Sequence, residues 1–135
     1  MSHKLYTDGG ARNNPGPAGI GGVLFDDDNK LIAELSEYIG EGTNNQAEYE
    51  AIIAGLKLAI EHKIKKLDCY LDSKLVVEQV NKNWKIKEPH LQKLFVQVWN
   101  LTHKFDKVSF NHIRREKNTQ ADTLVNKALD KQLKS

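Results

Sequence analysis

Apolar and polar positions change their period several times along the chain, and each change marks an element. Leu5-Tyr6-Thr7-Asp8 reads as a short strand. Gly9, Gly10 and the run Asn13-Asn14-Pro15-Gly16-Pro17 predict a turn-rich loop after it. A second strand runs from Gly19 to Phe25; its glycines weaken strand preference and predict that another segment approaches its backbone closely. Asp26-Asp27-Asp28-Asn29 is a hairpin turn whose acidic run lacks the spacing of a calcium loop. Leu31 to Ile39 forms the third strand.

Helical spacing begins after Thr43 and Asn44, both capable N-caps. Ala47, Ala51, Ala54 and Leu58, with Ile52, Gly55, Leu56 and Ala59, fill a broad buried face. Glu48 shares the row of Ile52, Gly55 and Ala59, so it points toward the sheet, where a carboxylate is costly unless paired or metal-bound. Leu67 to Asp72 alternates, with Leu67, Cys69 and Leu71 on one face and Asp68, Tyr70 and Asp72 on the other. Strand, helix and returning strand make a βαβ unit, which favours parallel neighbours. If those strands are adjacent and in register, Asp8 and Asp72 emerge side by side at the edge where open α/β sheets place their sites.

Ser73 caps a helix running to about Asn81, and Pro89 starts another with Leu91, Leu94, Phe95, Val98 and Leu101 as its stripe. Val108, Phe110 and His112 alternate in a fifth strand. The last helix begins near Asn118 and buries Ala121, Leu124, Val125, Ala128 and Leu129. Asp122 falls in its first turn, where a helix tolerates negative charge.

Composition narrows the reading a little. The length fits one domain, residues 1–135, and a net charge of +2 is only weak evidence for a polyanionic partner. Local clusters say more: Lys82, Lys85 and Lys87 surround Trp84, and Arg114, Arg115 and Lys117 lie together. The lone Cys69 excludes an intramolecular disulfide and a cysteine-rich zinc site, and its place in an alternating run predicts a core residue. No apolar stretch reaches the length of a membrane span and no signal-peptide pattern opens the chain, so the expected setting is a reducing cytoplasm.

Four acidic residues stand in distinct contexts: Asp8 in Thr7-Asp8-Gly9-Gly10, Glu48 in Asn44-Asn45-Gln46-Ala47-Glu48, Asp72 in Leu71-Asp72-Ser73, and Asp122 in Asn118-Thr119-Gln120-Ala121-Asp122. Carboxylates repel one another, and a fold that gathers them usually does so around divalent cations. In this order the set resembles type 1 ribonuclease H, over Leu5 to about Leu129. The resemblance implies an α/β fold with a mixed five-stranded sheet, strands 1–3 antiparallel and 1-4-5 parallel, flanked by helices. It implies cleavage of the RNA strand of RNA–DNA hybrids with two Mg2+ ions, Mn2+ substituting, and 5′-phosphate and 3′-hydroxyl ends. Two such ions, about 3.5–4 Å apart, activate water and neutralise the phosphate. Asp8 would bridge both ions, Glu48 and Asp72 would each favour one, and Asp122 would help hold the ion near the attacking water.

The same resemblance gives Asn14, Asn44 and Asn45 the RNA strand and its 2′-hydroxyls, which an amide reads as both donor and acceptor. Thr43 matches a position that contacts a DNA-strand phosphate while also capping its helix, and Asn118 is a further substrate candidate that also caps the last helix. The segment from Lys82 to Lys87 either binds the DNA backbone, with Trp84 against a sugar or base, or is a helix end with Trp84 as packing. The chain departs from longer relatives in two places. The span from Asn81 to Pro89 is too short for a full basic protrusion. The loop before Asp122 is also short, so His112, Arg115 or Glu116 fills the assisting position there, with His112 reading more simply as a strand residue. Asn126, one turn after Asp122, is a candidate to replace or support the fourth ligand. The rival readings are a catalytically silent hybrid-binding module, a related fold doing strand transfer or junction cutting, and a segment of a reverse transcriptase or other fusion. A free-standing enzyme without an obligatory protein partner is the expectation.

Overall fold

The computed structural model describes residues 2–133. Five strands form one sheet: β1 His3–Ala11, β2 Gly16–Phe25, β3 Leu31–Gly42, β4 Lys66–Leu71 and β5 Lys107–His112. Their spatial order is β3-β2-β1-β4-β5, with β1, β2 and β3 an antiparallel meander and β4 and β5 parallel to β1. The helices are α1 Asn44–Glu61, α2 Lys74–Val80, α3 Pro89–Thr102 and α4 Thr119–Leu133, with a 3-10 turn at Arg115–Lys117. The elements follow the order that the periodicity predicts, and the sheet has the mixed topology that the resemblance implies.

Strand boundaries differ from the sequence expectation in one informative way. The local turn preference of Gly9 and Gly10 yields to ladder pairing: β1 and β2 stay paired out to Ala11 opposite Ala18, and Arg12 N donates to the Pro17 carbonyl at 2.8 Å to close the loop. The loop shrinks to a few residues, with Asn13 in the left-handed region at φ 69. Asp8 therefore sits inside β1 rather than at its end.

The sheet buries both faces unequally. Leu5, Leu24, Leu67, Cys69 and Leu71 pack against α1, α2 and α3 through Tyr49, Ile52, Leu56, Val76 and Val98. Burial pushes the Cys69 thiol well up from its usual range, as suits an inert core residue. Thr43 caps α1, its Oγ1 accepting from Gln46 N at 3.1 Å, and Ser73 caps α2 through Val76 N at 3.3 Å. The opposite face carries α4, which lies over β2, β3 and β1. Its contact depends on Gly21: a Cβ there would run into the Ala121 carbonyl and the Leu124 side chain. The close approach that the glycines of β2 predict is this helix.

Buried Gln79 joins α1 to the segment 81–88, accepting from Tyr49 Oη at 2.8 Å and donating to the Lys85 carbonyl at 3.3 Å. Among the described residues no helix is long and apolar enough to cross a membrane.

Candidate active site

The last β1–β4 pair is Tyr6 opposite Tyr70, and two further steps of that register bring Asp8 opposite Asp72, the first residue after β4. Glu48 arrives from α1 and is tied to the same strand, since Gly9 N donates to Glu48 Oε1 at 2.6 Å. Only a glycine allows this descent: a Cβ on Gly9 would collide with the Ala47 carbonyl. Carboxylate oxygens of Asp8, Glu48 and Asp72 lie within 4.8 Å of one another. Asp122 comes from the first turn of α4 and borders the same cleft of about 400 Å³.

This gathering has an electrostatic cost. Asp8 is 9% and Glu48 6% exposed. Burial first, then the neighbouring carboxyls of Asp72 and Asp122, push the Asp8 carboxyl up to about 7. Glu48 is held well above the usual carboxylate range, first by burial and then by Asp8 and Asp72; the Gly9 N–H opposes this only in part. Among the described residues none of the four acids forms an ion pair. Mutually repelling oxygen donors, Asp8 and Glu48 among them buried, that form no ion pair among the described residues and include no histidine or cysteine, fit hard divalent cations.

Asn118 departs from its expected place. It is 1% exposed, too enclosed to touch a substrate, and its Nδ2 donates to the Thr7 carbonyl at 2.9 Å and to Asp72 Oδ2 at 3.1 Å. Nor does its side chain cap α4: its Oδ1 is without a partner among the described residues, and the backbone carbonyl instead accepts from Asp122 N at 3.1 Å.

Asn44 and Asn45 border the cleft; Asn14 stands just outside it, its Oδ1 accepting from Asn44 N at 3.0 Å. Asn44 Oδ1 in turn accepts from Ala11 N at 2.8 Å, so these amides knit the β1–β2 loop to the start of α1 through their oxygens. Thr43 keeps the capping role, without bordering the cleft. His112 does not reach the acids. It pairs with Leu71, whose side chain faces the core, so alternation turns it from the face that carries Asp72. Arg115, in the 3-10 turn, borders the cleft instead, as does Asn126, whose Nδ2 donates to the Asp122 carbonyl at 3.2 Å. Trp84 lies in the segment 81–88 and is 46% exposed, while neighbouring Lys82 is drawn to a different ring, 3.4 Å from the centroid of Trp99.

Two residues of this site escape sequence reasoning. Gly9 reads as a turn, and Arg12, which borders the cleft, sits in a loop with no periodicity. For both, the signal lies in partners distant along the chain.

Comparison with known proteins bears on the family and the fold. A family described as reverse transcriptase-like matches residues 6–128. A protein of Mycobacterium tuberculosis named as bifunctional is 44% identical over 96% of this chain, which spans only 36% of that relative's length. The crystal structure of RNase H1 from the archaeon Halobacterium salinarum is 40% identical, covers 97% of this chain and 99% of its own, and superposes with a TM-score of 0.95. LC11-RNase H1, solved in complex with an RNA/DNA hybrid, is 44% identical over 98% of this chain and 99% of its own, with a TM-score of 0.92.

Proposed function

The chain belongs to the type 1 ribonuclease H family, and on that premise we propose that it is an endonuclease that hydrolyses the RNA strand of RNA–DNA hybrids. The products carry 5′-phosphate and 3′-hydroxyl ends. The observation that carries this reading is the convergence of Asp8, Glu48 and Asp72, their oxygens within 4.8 Å of one another and without a protein cation to pair them. Two Mg2+ ions, with Mn2+ as substitute, are the proposed cofactors. When bound they neutralise phosphate charge and acidify water.

The chain's own residues do the rest. Asp8, Glu48, Asp72 and Asp122 would hold the cations, and Asn118 orients the Asp72 carboxylate. The amide nitrogens of Asn14 and Asn44, whose oxygens are occupied by backbone donors, offer hydrogen bonds to the RNA strand, and Asn45 adds a third amide at the cleft. Thr43 faces the DNA strand from the start of α1. Arg115 lies at the cleft and assists near the scissile phosphate; His112 has no part. Trp84 and the lysines beside it take the DNA backbone, and the substrate is read by shape and sugar chemistry with little base preference. Residues 1–135 act as one such domain, in a cytoplasmic setting.

The test is cleavage of a hybrid labelled on its RNA strand, with and without Mg2+, beside double-stranded RNA and branched DNA. Metal-dependent cutting within the RNA of the hybrid supports the reading; binding without cutting would replace it with a silent binding module.

A further inference from the structure

We infer that Arg12 is a contact for a nucleic-acid backbone phosphate at the mouth of the acidic cleft, held ready by Asn126 and Asp130 of α4; this rests on the ribonuclease H reading above. A cleft bordered by Asp8, Glu48, Asp72 and Asp122 repels a polyanion, and the basic residues on its border are Arg12 and Arg115. Arg115 comes from the 3-10 turn, and Arg12 from the β1–β2 loop.

The guanidinium of Arg12 is placed by α4. Its Nη2 lies 2.7 Å from Asp130 Oδ1 and 3.4 Å from Asn126 Oδ1. Asp122, Asn126 and Asp130 follow one another at four-residue spacing and so share one side of the helix. This row leads from the acidic cluster outward to Arg12. Both contacts fall on a single nitrogen, whereas a guanidinium carries five donors in a planar fork that matches a phosphate.

Exposure decides what this pair is for. The Arg12 and Asp130 side chains are 40% and 53% exposed, and ion pairs so open to water contribute little to stability. A phosphate can therefore take the place of Asp130 at small cost. The backbone behind Arg12 is firm, with Arg12 N bonded to the Pro17 carbonyl at 2.8 Å and Asn14 bonded to Asn44 N at 3.0 Å. The loop presents the guanidinium without having to order it on binding.

The rival role is a staple between loop and helix, and two variants separate the roles. Arg12→Gln removes the phosphate contact and the ion pair; Asp130→Asn removes only the ion pair. Binding of a short fluorescent RNA–DNA hybrid is measured by anisotropy over a range of salt, with EDTA present to prevent cleavage. Arg12→Gln should bind about tenfold more weakly, with the salt slope reduced by about one unit. Asp130→Asn should keep the wild-type slope and bind at least as tightly as wild type. Equal losses in the two variants, or wild-type affinity and slope in Arg12→Gln, would overturn the assignment. A wild-type protein that neither binds nor cuts hybrid would overturn the functional reading as well, an outcome distinct from Arg12→Gln matching a wild type that binds.

Discussion

Asn118 holds Asp72 by a hydrogen bond of 3.1 Å from its Nδ2, and the same nitrogen reaches the Thr7 carbonyl at 2.9 Å. One buried carboxamide thus locks the acid after β4 to the strand that carries Asp8. Groups that orient a metal ligand typically matter about 10–100-fold in metal affinity or activity. Asn118→Ala should lose that much in Mn2+ affinity by titration calorimetry. Unchanged affinity in a folded variant would mean that Asp72 needs no such hold.

Gly9 and Gly10 make a matched pair. A Cβ at Gly9 meets the Ala47 carbonyl, whereas at Gly10 it meets Asn44 Oδ1 at 3.9 Å and Val125 Cγ1 at 4.0 Å, which is ordinary contact. Gly9→Ala should cost about 3 kcal/mol or more in urea unfolding and displace Glu48, and Gly10→Ala less than about 1 kcal/mol. Equal costs would show that α1 can lift from β1 freely.

The raised acids make the metal-free protein sensitive to pH. With Asp8 pushed up to about 7, mainly by burial, the folded state keeps a proton that the unfolded chain has released. That contribution to stability is present below about 4, the carboxyl's unfolded value, and is lost as pH rises through about 7. Thermal melts in EDTA should fall across this window, and saturating Mg2+ should flatten the fall. Asp8→Asn should melt higher than wild type above pH 7 in EDTA, by roughly 3–8 °C for about 1–2 kcal/mol. A metal-free melt that rises from pH 4 to 7 would contradict the repulsion.

Trp84 is 46% exposed, so its loss should cost the fold little. If it lies against the DNA strand, Trp84→Ala should weaken hybrid binding by about tenfold with the melting temperature unchanged. A lower melting temperature with unchanged binding would make it a packing residue of the segment 81–88.

The sequence carried the elements and much of the acidic cluster because those signals are local. Glu48 declared its direction by sharing a row with Ile52 and Gly55, and the βαβ order brought Asp8 beside Asp72 on the condition of adjacent strands in register, which the β1–β4 pairing meets. The glycines of β2 announced a close neighbour without naming it. What could not be read depends on partners far away in the chain. Gly9 looks like a turn until α1 is laid over it. Asn118 meets Thr7 across 111 positions and Arg12 meets Asn126 across 114, and no spacing rule links either pair. His112, by contrast, was legible for a local reason: alternation made it a strand residue, and its pairing with Leu71 at the end of β5 turns it toward the core face.

The central claim is that Asp8, Glu48, Asp72 and Asp122 share divalent cations that cut RNA paired to DNA. It is tested most directly by following a hybrid labelled on its RNA strand with wild type and Asp72→Asn, in Mg2+ and in EDTA. The expected result is internal cleavage by wild type in Mg2+ alone. Asp72→Asn should cut nothing while remaining folded and binding hybrid, because removing one charge relieves repulsion. Cleavage by wild type in EDTA, or retained turnover by Asp72→Asn, would contradict it.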